Sequence, residues 1–220
     1  VGSNLDEFFM KRIGGLKQQV GAGVKKPTID GMLPQEQIDA SYAIAQEILV
    51  EQRIIENQLR ELLEKEGICF RSYEELNNTQ KKEMDSYFKR EIYPLLTPQG
   101  IDPAHPFPFI SNLSLNLLVT TSEAKSDYHF LNRIKVPLGA GVPRFIKVGD
   151  THLYVTFEDL IAHNLEDLFP GLVIHSYEFF RVTRNAITDQ GGEQANDLLS
   201  MIESALRDRK FAHIVRLPTA

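Results

Sequence analysis

The residues best placed to do chemistry stand near the start of the chain, where Asn4 precedes Leu5-Asp6-Glu7 and the ring pair Phe8-Phe9. An amide carries donors and an acceptor, so it can read the edge of a base or a sugar. The same residue type at a helix entrance most simply caps free backbone N–H groups, and Asn4 with Glu7 has the spacing of such a cap. Ser3 with Asp6 offers the same arrangement one residue earlier. Phosphate binding at this helix start is disfavoured, because Asp6 and Glu7 place negative charge beside the free N–H groups and would repel a triphosphate. Phe8 falls off the apolar stripe and could wall a flat ring, whereas Phe9 falls on it and reads as core.

Other polar groups carry less. Arg181, Arg184, Arg207, Arg209 and Lys210 are the densest late cations. If they converge they could guide a polyanion, but scattered surface ion pairs account for them more simply. Gly21-Ala22-Gly23-Val24-Lys25-Lys26 resembles a phosphate loop only in composition: it lacks the Gly-Lys-Ser/Thr ending, and neither a preceding strand nor a helix starting on its lysine accompanies it. The histidines at 105, 129, 152, 163, 175 and 213 show no i,i+4 pair and no accompanying cysteine, so no metal ligand set and no phosphoryl carrier is read from them. His105, beside Pro106, most simply fixes a joint in the chain.

These groups need elements to hold them. Leu5, Phe9, Ile13, Leu16 and Val20 trace one face of a helix over 4–20. A breaker-rich loop follows, and Pro34 opens a second helix over 34–65 whose stripe includes Ile38, Tyr42, Ala45, Leu49, Ile55, Leu59 and Leu62, with Gly67 ending it. This long helix is the expected antiparallel partner of the first. Asn78 is placed to cap a third helix over 79–93, with Met84, Tyr87, Phe88 and Ile92 inward and Pro94 stopping it. Five prolines between 94 and 109 hold the backbone extended and mark a domain boundary. Beyond it, strands are expected around 113–120, 128–137, 144–148, 153–156, 173–182 and 213–217, with helices near 158–168 and 194–207. The predicted class is therefore α and α+β: an antiparallel helical N-terminal domain, 1–94, then an α+β domain, 95–220, with a mainly antiparallel sheet.

Composition bounds the partners. A formal charge of −6 and a pI near 5.6 give no general attraction for nucleic acid or an anionic membrane. The single cysteine, Cys69, excludes an internal disulfide and a cysteine zinc site, and fits a reducing, cytoplasmic setting. No apolar run reaches the roughly 20 residues of a membrane-spanning helix. The N-terminus lacks an initiator Met and signal-peptide features and reads as a cut edge.

Two stretches carry a family resemblance: residues 2–12, Gly-Ser-Asn-Leu-Asp-Glu-Phe-Phe-Met-Lys-Arg, and the run from Leu96-Thr97-Pro98 through Ser111-Asn112-Leu113-Ser114. Both resemble the polyphosphate kinases, which build phosphate chains from ATP. Weaker matches are Gly141-Val142-Pro143-Arg144-Phe145-Ile146 and 180–186, where the family pattern has an acid at the position of Asn185. The resemblance implies that Asn4 contacts ATP, that the parent enzyme uses magnesium and a phosphohistidine, and that family members are oligomeric. It also implies two phospholipase-D-like catalytic domains after this region; their histidines and arginines are not among these residues, so this chain alone is expected to be inactive. The expected role is part of an ATP–polyphosphate phosphotransferase, contributing a nucleotide-side wall (Asn4, with Phe8 beside it) and an assembly domain from 95 onward. The alternative is a non-catalytic dimerisation or interaction module without nucleotide contact of its own. The resemblance leaves peripheral membrane attachment open.

Overall fold

The computed structural model describes residues 1–101, 108–126, 128–139, 141–186 and 213–217. The chain divides into two compact units. The first comprises Val1–Arg53, Ile110–Leu113 and Arg181–Pro218; the second comprises Ile54–Phe109, Ser114–Phe180 and Thr219–Ala220.

In the first unit, α1 (Gly2–Phe8), a π-turn (Phe9–Ile13) and α2 (Gly14–Gly21) follow one another in unbroken right-handed helical backbone. The expected stripe is buried at Phe9, Ile13 and Leu16 and partly at Leu5, but it stops short of Val20, which is exposed. The expected caps are corrected. The helix is already formed at Gly2, with Val1 at its cap position, so Ser3 and Asn4 are exposed residues inside the first turn and cap nothing. Helix α3 (Pro34–Lys65, 32 residues) opens on its proline. After it the chain turns at Gly67, whose φ of 80° is one that glycine adopts without a Cβ penalty. Ile38, Ala45 and the half-buried Tyr42 join Phe9, Ile13, Leu16 and Val215 in one apolar cluster. Farther along α3 the expected stripe is not buried: Ile55, Leu59 and Leu62 are 54%, 53% and 55% exposed. Periodicity defines an apolar face but not what covers it. The pair β8 (Thr183–Arg184) and β9 (Ile214–Arg216) completes this unit.

The second unit is α+β. Helix α4 (Asn78–Tyr87) runs on through a π-turn (Phe88–Ile92) into a 3₁₀ turn (Tyr93–Leu95), so Pro94 lies within a tight turn instead of stopping the helix before it. Its cap is Asn77, not Asn78: Asn77 Oδ1 accepts from the N–H groups of Thr79 and Gln80, each at 3.0 Å, and Gln80 returns the bond to Asn77.

A four-stranded sheet has the order β2-β4-β3-β7, with β2 at Pro98–Ile101, β3 at Leu115–Glu123, β4 at His129–Lys135 and β7 at Leu172–Arg181. Strand β2 lies inside the proline-rich segment read from the sequence as an extended domain boundary. Its proline is the first residue of an edge strand, where a missing N–H is tolerated. A second sheet orders β1 (Cys69–Phe70), β6 (Leu153–Thr156) and β5 (Phe145–Lys147), with β1 parallel and β5 antiparallel to β6. The expected helix near 158–168 is two, α5 (Phe157–His163) and α6 (Leu165–Leu168), separated at Asn164. Met84, Phe88, Ile92, Leu117, Val119, Ile134, Val155, Phe157 and Leu160 lie at the centre of this unit's core. The chain thus has the expected helical N-terminal region and α+β region with a mainly antiparallel sheet. The helix expected near 194–207 lies outside the described residues.

Candidate functional site

Helix α1 presents two distinct faces. At 100° per residue, Asn4 and Phe8 lie one turn apart on the same side. Asn4 is exposed and Phe8 is 40% exposed, its ring meeting Phe9 edge-on at 5.9 Å between centroids. Phe9 is fully buried against Tyr42, at 5.1 Å. The result is an outward amide and an outward ring held in register by a buried ring beneath.

The other face carries an ion pair. Asp6, only 7% exposed, accepts from Arg181 Nη2 and Nη1 at 2.7 and 3.0 Å, a two-pronged bond that ties the helix start to the end of β7. A cleft of about 410 Å³ opens beside it, lined by Gly2, Ser3, Asp6, Glu7, Met10, Leu113 and Arg181. Asn4 and Phe8 do not line this cleft. Leu113 adopts a φ of 60°, a left-handed conformation that costs a leucine about 1–2 kcal/mol. It is held there because its N–H donates to Val182 O at 2.8 Å and the neighbouring Asn112 Oδ1 accepts from Arg184 N–H at 2.8 Å. The π-turn contributes as well: Met10 O accepts from Ala186 N–H at 2.9 Å. The helical segment is therefore tied within its own unit at two points, Asp6 to Arg181 and Met10 to Ala186.

Two family models match, the polyphosphate kinase N-terminal domain over residues 1–71 and the polyphosphate kinase middle domain over residues 79–220. The chain belongs to the polyphosphate kinase family. A polyphosphate kinase of Thermosynechococcus vestitus is 44% identical over 98% of this chain and 30% of its own length. One from Synechocystis is 40% identical over 94% of this chain and 30% of its own length. The crystal structure of the Porphyromonas gingivalis polyphosphate kinase shares the fold, with a TM-score of 0.69 at 21% identity over 94% of this chain and 32% of that one. The chain spans about a third of the length of these relatives.

Within this polyphosphate kinase region the other sequence candidates separate. Arg181 is spent on Asp6, and Arg184 Nε donates to Ile110 O at 3.0 Å, while Arg207, Arg209 and Lys210 lie outside the described residues. Lys25 and Lys26 are exposed in a loop that follows a helix. His163 stacks on Tyr73 at 3.5 Å and His129 meets His175 at 4.4 Å, whereas His105 is outside the described residues. Among the described residues no group of three or more His, Cys, Asp or Glu comes together. None of the described helices is long and apolar enough to cross a membrane.

Residue-type reasoning passed over Arg216, whose guanidinium lies 4.8 Å above the Phe9 ring, and the strained Leu113. No spacing signal marks either residue. Asn185, where an acid was expected, is buried with its Oδ1 against Gly14.

Proposed function

We propose that this chain is part of an enzyme that reversibly transfers the terminal phosphate of ATP to a growing polyphosphate chain, and that α1 supplies a wall on the nucleotide side. The observation that supports this reading most is the outward pairing of Asn4 with Phe8. An amide fits the polar edge of a base or ribose, and a ring one turn away fits its flat face. The cations nearest the start of α1 are committed to its carboxylates, Arg181 to Asp6 and Lys11 to Glu7, so the triphosphate points away from this helix start. Phosphoryl transfer requires cations converging on the phosphoryl oxygens. On this reading those groups, with magnesium and the phosphohistidine, belong to parts of the parent protein beyond these residues, which alone do not turn over ATP. The α+β part from 95 onward assembles the protein into a cytoplasmic homo-oligomer.

Isothermal titration with ATP tests the assignment. Asn4 caps nothing, so Asn4→Ala leaves the melting temperature unchanged and weakens ATP binding about tenfold, the loss of one good polar contact. An unaltered affinity in a folded Asn4→Ala protein would sink the role of Asn4.

A second reading, an interaction module without nucleotide contact, is favoured by one observation: Val50, Ile54, Ile55, Leu59 and Leu62 are each more than half exposed on α3. An apolar face of this kind suits packing on another protein surface.

A further inference from the structure

Among the described residues Arg133, on β4, is the one buried cation, 6% exposed. Its partners are neutral. Nε and Nη2 donate to Asn116 Oδ1 at 2.8 and 2.6 Å, and Nη1 donates to Gln99 Oε1 at 2.6 Å. No carboxylate among the described residues pairs with it, and burial alone holds its proton affinity below that of a free guanidinium. A guanidinium has five N–H groups, so one on Nη1 and one on Nη2 remain without an acceptor among the described residues. A buried charge without a counter-charge is expensive.

The arrangement is built by the sheet. Gln99 of β2 stands opposite Arg133, and Asn116 of β3 stands opposite Lys135, so all four side chains share one face. Asn116, fully buried, is itself fixed: its Nδ2 donates to Ser114 O at 2.8 Å and Ser114 Oγ at 3.1 Å, which turns its Oδ1 toward the guanidinium. Arg133 and Lys135 line a depression of about 530 Å³ together with Thr97, Gln99, Leu138 and Gly139. No carboxylate among the described residues lines it, in a chain whose net charge is −6.

We propose that this depression is a binding site for a multiply charged phosphate oxyanion, received by the two uncommitted N–H groups of Arg133 and by Lys135 Nζ. The anion is the counter-charge that the described residues do not provide, and the two cations, two residues apart on one strand, span more than a singly charged group requires. The site is independent of the reading of Asn4. A compact anion and the end of a phosphate chain share this chemistry.

The test is calorimetric titration of the 220-residue chain with pyrophosphate and with tripolyphosphate, alongside thermal melts. Wild type binds both saturably and melts higher as either is added. Lys135 is exposed, so Lys135→Gln keeps the anion-free melting temperature and weakens binding about tenfold, the loss of one charge-assisted bond. Arg133→Gln abolishes binding; should it fail to fold, Lys135→Gln decides alone. Asn4→Ala leaves pyrophosphate affinity unchanged, which separates this site from the nucleotide wall. Tripolyphosphate binding tenfold tighter than pyrophosphate identifies a chain end, and equal affinity a compact anion. Absence of saturable binding by wild type overturns the proposal, and so does equal affinity in wild type and Lys135→Gln, since Arg133 is then only a cross-strand clamp.

Discussion

Gly14 shows how a single side chain constrains the helix that carries Asn4. A Cβ added there would lie 2.1 Å from Asn185 Oδ1 and 2.6 Å from its Cγ, well inside contact distance. Asn185 is buried, and its N–H donates to His213 O at 2.9 Å, so its backbone is not free to withdraw. Gly14→Ala should therefore destabilise the protein by about 1–3 kcal/mol, the usual range for overpacking. Asn185→Ala in the same chain should recover part of that loss, because it removes the clashing atoms. Urea denaturation of the two single variants and the double variant measures the coupling, and strict additivity would contradict the contact. The side chain at 185, where the family pattern has an acid, thus serves packing at Gly14, and the sequence has no local sign of it.

At the scale of elements, Tyr73 joins a 3₁₀ turn (Tyr73–Glu75) to α4 and α5. Its hydroxyl donates to Asp85 on α4 at 2.6 Å, and its backbone N–H donates to Asp159 on α5 at 2.5 Å. Burial, then the bond to Asp85, raises the phenol well above its ordinary value of 10.0. The folded form keeps the proton, whereas the unfolded chain releases it near pH 10. Unfolding is then coupled to proton loss. This contribution is fully present below about pH 10 and is lost progressively as pH rises toward the raised folded value. Urea midpoints followed from about pH 8 to 11 should fall more steeply for wild type than for Tyr73→Phe. Equal alkaline slopes would show that the phenol does not carry the effect. The helix and most strands of this unit were legible from periodicity, but this linkage joins residues 12 and 86 positions apart and leaves no pattern in the chain.

For the whole molecule, the open question is what covers the second half of α3. Its Leu59 and Leu62 are more than half exposed and belong to neither core cluster, so Leu59→Glu with Leu62→Glu should change unfolding stability by no more than about 0.5 kcal/mol. The same pair of substitutions should reduce self-association if the interaction reading holds. Sedimentation across protein concentration measures this, and a wild-type chain that stays monomeric throughout would count against that reading.

The sequence by itself determined the family, through residues 2–12 and 96–114, and most of the helices and strands, because burial faces repeat at 3.6 and 2 residues in any chain. It also marked Phe8 as lying off the apolar stripe, and Asn4, through the family resemblance, as a candidate nucleotide contact. Only the tertiary structure decided that Asn4 caps nothing, that Asp6 is tied to Arg181, and that the proline-rich segment contributes strand β2. The same holds for the buried Arg133, which sits among amides from strands 17 and 34 residues away. Each of these depends on a partner distant in the chain, and local propensity carries no information about such partners.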